Sequence, residues 1–303
     1  MIRVLITGTN GLLGQKLAEL LLPRTDVEVL ATSRGENKLA EILPMLAFKS
    51  MDVTDAMQVE EVVSEFRPTH IIHTAAMTNV DQCESDREGA LKLNRDAVQY
   101  LVNACEKYNV HLVHVSTDFI FDGESGPYDE EALPNPVNFY GETKLMAEEV
   151  VKKAKCKWAI LRTVLVFGVA HDYGRTNIVL WVRDSLQAGK VIKVVNDQFR
   201  TPTLAEDLAM GCWLAVKHNA EGVYNISGNE MLTPYEMAMQ VADFFALDNS
   251  LIDKADASTF TQPAKRPLRT GFIISKAQND LGYQPHTFME GIRMVAEQAE
   301  AML

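Results

Sequence analysis

The sequence predicts an α/β protein: a Rossmann-like, doubly wound parallel sheet with a smaller C-terminal substrate-binding region. Three observations carry this. Short apolar β-type runs alternate with segments of helical periodicity through the first half of the chain. The first run, Ile2 to Thr7, opens directly onto a glycine-rich turn, Gly8-Thr9-Asn10-Gly11-Leu12-Leu13-Gly14. After Gly168 the alternation gives way to polar loops and separate helical stretches.

The elements follow in order. After the first strand, Gly11 to Leu22 has apolar residues at helical spacing and Pro23 as its stop. Val27 to Thr32 and Ala47 to Val53 read as strands two and three, the latter weaker. Thr54 to Phe66 reads as a helix closed by Pro68, and Ile71 to Thr74 as a fourth strand. One long helix is expected from about Arg87 to Tyr108, then the strand His111 to Ser116. Phe139 to Lys153 is helical and Trp158 to Val166 a strand. Beyond it come a helix near Leu204 to Val216, a strand at Val223 to Ile226 and later helices. The expected division is a nucleotide-binding domain over 1–165, with a return to it near 191–228, and a mainly substrate-binding domain over 166–303.

Composition narrows the function classes. The 303 residues include 29 Lys+Arg and 41 Asp+Glu, a net charge of −12 that argues against nucleic acid or an anionic membrane as partner. No uncharged apolar run approaches the ~20 residues that span a bilayer. Cys83, Cys105, Cys156 and Cys212 are far apart and form no CxxC pair, so a reducing, cytoplasmic location is expected. His70 and His73, like His111 and His114, are three apart in or beside strands. That spacing points them to opposite faces, so neither pair alone chelates one ion and no metal is expected.

The glycine turn sits between a strand and a helix, where glycine lets the backbone approach a pyrophosphate and the helix N-terminus supplies N–H groups. Gly8, Asn10, Gly11, Leu12, Leu13 and Gly14 are therefore candidate dinucleotide contacts. At the end of the second strand an acidic residue would select NAD. Ser33-Arg34 stands there instead, a hydroxyl and a guanidinium suited to a 2′-phosphate. NADPH is the favoured cofactor, with NADH open.

Tyr140 and Lys144 are four apart in NFYGETKLMAEE and share a helix face. An ammonium beside a phenol favours phenolate, so Lys144 is expected to lower the Tyr140 pKa. Ser116-Thr117-Asp118 ends the strand HLVHV, the side of an open α/β sheet where ligands bind. A hydroxyl there can polarise a carbonyl.

These residues resemble the extended short-chain dehydrogenase/reductases. The resemblance is carried by Gly8, Gly11 and Gly14, by Asp52-Val53, Ala75-Ala76 and Ser116-Thr117-Asp118, and by Tyr140-Gly-Glu-Thr-Lys144. Within them the chain is most similar to the branch of the dTDP-4-dehydrorhamnose reductases, through HTAAMTNVDQCESD, STDFIFDG, LRTVLVFG and the late Arg266-Pro267. The resemblance implies that Asp52 and Val53 contact the adenine and that Thr74, Ala75 and Ala76 line the nucleotide. It implies a catalytic triad of Thr117, Tyr140 and Lys144, with Lys144 also on the nicotinamide ribose, and matches Asn94 to a helix asparagine of many relatives. It places Asp118, Asn177, Arg200 and Arg266 at a nucleotide-sugar substrate, the arginines facing its diphosphate.

The expected activity is NADPH-dependent reduction of a nucleotide-linked 4-keto-6-deoxy sugar, with a homodimer as the assembly to test for. Two departures bear on the sugar: Leu165 stands where such reductases usually carry Trp, and Arg200 in NDQFRTPT sits where sugar-nucleotide epimerases place a diphosphate-contacting arginine. Alternatives stay open. A sugar-nucleotide epimerase is disfavoured by the missing acid after strand two. A dehydratase is disfavoured by Phe119 following Thr117-Asp118 where those relatives have Glu. An NADP-binding regulatory subunit, like the β subunit of methionine adenosyltransferase, could retain the Tyr-Lys pair.

Overall fold

The computed structural model describes residues 1–171, 177–260 and 262–302. The first half runs β1 (Ile2–Thr7), α1 (Leu12–Leu21), β2 (Val27–Ser33), β3 (Ala47–Ser50), α2 (Ala56–Phe66) and β4 (His70–His73). Next come α3 (Val80–Ser85), α4 (Arg87–Leu91), α5 (Ala97–Tyr108), β5 (His111–Thr117), α6 (Phe139–Lys152) and β6 (Trp158–Thr163). The second half holds β7 (Val166–Phe167), α7 (Ile178–Gln187), β8 (Ile192–Val195), β9 (Thr203–Leu204), α8 (Ala205–Lys217) and β10 (Gly222–Asn225). It closes with α9 (Pro234–Phe244), β11 (Ile252–Ala255), α10 (Ser275–Leu281) and α11 (Phe288–Ala301).

Seven strands form one sheet in the order β3-β2-β1-β4-β5-β6-β10, and every pairing in it is parallel. The chain leaves β1 toward β2 and β3, then crosses back to place β4 on the other side of β1. That reversal opens a crevice beyond the C-terminal strand ends, where such sheets bind ligands. A parallel sheet must be covered on both faces, so its strands read as continuous apolar runs. One face packs Leu17 and Ala18 of α1 against Leu208 and Cys212 of α8. The other packs Val59 and Val63 of α2, Val98 and Leu101 of α5, and Ala147 and Val151 of α6. A further core joins α7, α9 and α11 through Val179, Val182, Met237, Val241, Ile292 and Val295, roofing the strand ends.

Three features differ from the sequence expectation. The long helix after Arg87 is interrupted: Lys92–Asp96 forms a wider π turn between α4 and α5. The turn carries Asn94, whose Oδ1 accepts the Met77 N–H at 2.8 Å and whose Nδ2 donates to Thr143 Oγ1 at 3.0 Å. Apolar spacing does not report a one-residue expansion of this kind, which is commonly tied to a site. The strand Ile192–Val195 pairs outside the main sheet, with β11. The histidines, finally, meet across strands rather than along them. His70 lies beside His111, ring centres 5.2 Å apart, and His73 stacks on His114 at 5.5 Å. Burial brings His73 down to about 3 and His111 to about 4, so both stay neutral. Among the described residues no group of side chains could hold a metal ion, and no helix is long and apolar enough to cross a membrane.

A buried ion pair ties α6 to the sheet. Arg162 on β6 donates from Nε and Nη2 to the two carboxylate oxygens of Glu148, at 3.0 and 2.8 Å, with both side chains almost fully buried. Burial alone would raise the Glu148 pKa; the Arg162 hydrogen bonds and charge outweigh it and hold the carboxylate below its ordinary value. Breaking one partner of such a pair leaves an uncompensated buried charge. Glu148→Gln is expected to lose about 3–5 kcal/mol of unfolding free energy in urea titrations. A loss under about 1 kcal/mol would show that the pair does not hold α6 in place.

Candidate active site

The crevice is a cleft of about 1190 Å³ running from the glycine turn, across the strand ends, to α7 and the 198–200 loop. Its floor is set by close backbone approaches. Gly8 has φ +73°, and a Cβ there would stand 2.8 Å from the Ala75 nitrogen. A Cβ on Gly14 would lie 2.5 Å from the Gly8 carbonyl oxygen. Gly11 caps α1 with no side-chain hydrogen bond, and Leu12, Leu13 and Gly14 border the cleft behind it. The donors of this turn and the close-packed glycines fit a dinucleotide pyrophosphate.

The β2 end of the cleft, the candidate adenosine end, is stitched together by side chains. Thr9 N–H and Oγ1 both reach the Thr32 carbonyl, at 3.0 and 3.1 Å, and Thr32 N–H returns a bond to Thr9 Oγ1. Ser33 and Arg34 then follow at the cleft edge, with Asp52 and Val53 across from them. Asp52 Oδ1 is engaged by the Thr54 amide and hydroxyl. Thr74, Ala75 and Ala76 line the middle. Lys38 joins Arg34 at this end, a cation that the sequence did not single out because it stands in no motif.

The catalytic candidates converge. Asn138 caps α6 by accepting the Gly141 N–H at 2.9 Å. Gly141 lets the helix press on the short 3₁₀ turn Asp118–Ile120: a Cβ there would fall 2.0 Å from the Phe119 carbonyl oxygen. This contact brings Tyr140 and Thr117 to the same stretch of the cleft wall. Thr117 Oγ1 also donates to Asp118 Oδ1 at 3.1 Å. Lys144 is buried and donates to the Val115 carbonyl at 2.7 Å, with His114 Nε2 at 3.4 Å.

The expected electrostatics of the pair need correcting. Burial drives the Tyr140 phenol well above its ordinary value, only partly opposed by Thr117. Lys144 does not lower it, because its ammonium is turned to the strand carbonyl. Tyr140 is thus held as a neutral phenol, a form able to donate a proton to a carbonyl oxygen. Lys144 is itself brought down to about 8 by burial, against the opposing pull of Glu148 one turn away.

The substrate candidates line the cleft, but their polar groups are committed. Asp118 is almost fully buried, accepts from Thr117 and Thr270, and has Arg200 Nε at 3.8 Å. Arg200 spends its other nitrogens on the carbonyls of Phe199, Pro267 and Leu268. Asn177 caps α7 through Val179 and Leu180 and donates to the Gly168 carbonyl. Arg266 grips Asp81 with two bonds of 2.7 Å. The arginines therefore reach the cleft as members of a scaffold, Arg266 being the more exposed of the two. Leu165 lies in the cleft wall at φ +37°, an uncommon conformation for leucine, and Trp181 of α7 lines the same half. Trp181 was legible only as one apolar position on an amphipathic helix.

The RmlD substrate binding domain model matches residues 2–301. The chain belongs to that family. It is 31% identical to the dTDP-4-dehydrorhamnose reductase of Aggregatibacter actinomycetemcomitans over 99% of this chain and 100% of that one. It is 32% identical to the methionine adenosyltransferase 2 subunit beta of Bos taurus over 82% of this chain and 73% of that one. The crystal structure of dTDP-4-dehydrorhamnose reductase from Bacillus anthracis in complex with NADP superposes with a TM-score of 0.85, at 30% identity, covering 98% of this chain and all of that one.

A buried lysine near 8 gives a pH dependence with a definite sign. Below about 8 the Lys144 ammonium is charged; above it the charge is lost. Reductase turnover is expected to fall as pH rises through about 8, measured as kcat/KM over pH 6–10 with protein folding checked by circular dichroism. A profile flat to pH 10 would contradict a role for that charge.

Proposed function

We propose that the protein is an NADPH-dependent reductase of a nucleotide-linked 4-keto-6-deoxy sugar, a dTDP-4-dehydrorhamnose reductase in its chemistry. The single observation that carries this is the convergence of Thr117, neutral Tyr140 and buried Lys144 in a cleft that begins at the glycine turn. The full-length likeness to the Aggregatibacter enzyme supports the same chemistry.

The residues divide the work by position. Gly8, Gly11, Gly14 and the start of α1 would hold the pyrophosphate, and Ser33 with Arg34 the adenosine 2′-phosphate. A bound dihydronicotinamide supplies hydride to the keto carbon. Tyr140 gives its proton to the oxygen that becomes an alkoxide, while Thr117 orients that oxygen. For that the Thr117 hydroxyl turns its proton from Asp118 toward substrate. Lys144 would hold the ribose side of the cofactor from the β5 end of the cleft. Apolar Leu165, Ile178 and Trp181 border the far half and limit water there.

The deciding experiment is NADPH consumption over a panel of nucleotide-linked keto sugars, with dTDP-4-keto-6-deoxy sugars included. Turnover is expected, and Tyr140→Phe should bind cofactor normally while losing about 10²–10⁴-fold in rate. Tight NADP binding with no turnover on any sugar would instead favour a regulatory role like that of the β-subunit relatives. NADPH is also expected to bind more tightly than NADH, and Arg34→Ala to shrink the difference by roughly 10–100-fold. Equal affinities in the wild type would refute the Ser33-Arg34 assignment.

The arginines should separate. Arg266→Ala is expected to raise KM for a sugar nucleotide more than it lowers kcat, the mark of binding common to ground and transition states. Arg200→Ala removes three carbonyl partners and should lower Tm as well. Unchanged KM in a folded Arg266→Ala would place the diphosphate elsewhere.

A further inference from the structure

Asn10 stands in the glycine turn, where direct contact with a dinucleotide is the ordinary expectation. Its carboxamide is instead bound at both ends to one neighbouring segment. Nδ2 donates to the Glu36 carbonyl at 2.9 Å, and Oδ1 accepts the Lys38 N–H at 3.1 Å. The side chain brackets residue 37 as a strand partner would, fixing both the distance and the orientation of the segment. This is the second stitch between the same two loops. The first, Thr9 with Thr32, ends at β2 itself.

The segment beyond β2 needs such a tie. Gly35 turns the chain at φ +85° into open space, with no atom within 4 Å of where a Cβ would stand, and Arg34, Gly35 and Glu36 are exposed. Full burial returns only at Leu39, whose N–H is held by Asn37 Oδ1 at 2.9 Å. Between those anchors lie the two cations at the adenosine end of the cleft, Arg34 and Lys38. A guanidinium on an untied loop spends binding free energy on ordering that loop.

We propose that Asn10 is a positioning residue for the choice between phosphorylated and unphosphorylated dinucleotide: it straps segment 34–38 to the glycine turn so that Arg34 and Lys38 flank the adenosine 2′-phosphate. This rests on the assignment of that phosphate to Ser33 and Arg34. Asn10 touches neither the phosphate nor the reacting atoms; it acts through the backbone of 36 and 38. Its loss should therefore weaken NADPH and leave NADH almost untouched. A direct pyrophosphate contact would weaken both alike, since the two coenzymes share that group.

The test is a double-mutant cycle on coenzyme affinity. Kd values for NADPH and NADH are measured by fluorescence titration in wild type, Asn10→Ala, Arg34→Ala/Lys38→Ala, and the triple variant. In Asn10→Ala the NADPH affinity is expected to fall about 5–10-fold, the scale of two lost hydrogen bonds, with NADH changed by less than about twofold. In the triple variant the Asn10 substitution should cost nothing further. Hydrogen exchange should show the Lys38 amide protected in wild type and released in Asn10→Ala. Equal weakening of both coenzymes, or an undiminished effect in the background lacking both cations, would overturn the proposal. If wild type binds NADPH and NADH equally, the phosphate assignment itself fails and the strap with it. An Asn10→Ala change confined to NADPH but additive with the cations would place Asn10 on the phosphate directly and also overturn it.

Discussion

A single buried cation organises the centre of this protein. The Lys144 ammonium has been taken out of water and set against the end of β5, where the Val115 carbonyl and a neutral His114 are its hydrogen-bonding neighbours. Removing an ammonium from water is costly, and the protein meets the cost only in part, as the pKa near 8 records. Two things make the position tolerable. Glu148, one helical turn along, contributes a buried negative charge, and it is kept ionised by Arg162 from the sheet. The neighbouring histidines are held neutral by burial, so they add no positive charge beside it. The line Lys144, Glu148, Arg162 thus fixes α6 on the sheet and the Lys144 ammonium at the same time.

The parallel register then supplies the rest of the site. With β1, β4 and β5 side by side, Thr7 stands level with His73, and His73 level with His114. All the strand ends therefore face one crevice, and each loop leaving a strand contributes one piece: the glycine turn after β1, Ser33 and Arg34 after β2, Ala75 after β4, Thr117 after β5. The close approach of Gly141 to Phe119 delivers Tyr140 to Thr117. The three residues proposed for catalysis come from one helix and one strand, Tyr140 and Lys144 from α6 and Thr117 from β5, which makes their spacing insensitive to the loops around the cleft.

The sequence showed the sheet because burial on both faces leaves apolar runs, and it showed the glycine turn because backbone crowding at Gly8 and Gly14 admits no other residue. It showed the Tyr140–Lys144 pair because helical spacing is rigid. It misjudged the pair's electrostatics, since which way an ammonium turns depends on a carbonyl 29 positions away in sequence. The cross-strand histidine pairs, the π turn at Asn94 and the commitment of Arg200 to backbone carbonyls were hidden for the same reason: each is set by neighbours distant in the chain. Arg200, Arg266, Asn177 and Asp118, which motif likeness assigned to a substrate, line the cleft. That likeness did not reveal that the fold uses their polar groups, which leaves the substrate half more apolar than the motifs suggested.

The central claim is that hydride arriving at a sugar carbon is matched by a proton from neutral Tyr140. It is tested most directly with NADPH carrying deuterium at both nicotinamide C4 positions and a dTDP-4-keto-6-deoxy sugar, in wild type and Tyr140→Phe, the product being read by NMR. The account predicts one deuterium at C4 of the sugar with NADP⁺ formed in equal amount, and the same product formed about 10²–10⁴-fold more slowly by Tyr140→Phe. A product without deuterium at C4, or a sugar changed at carbon with no NADPH consumed, would contradict it.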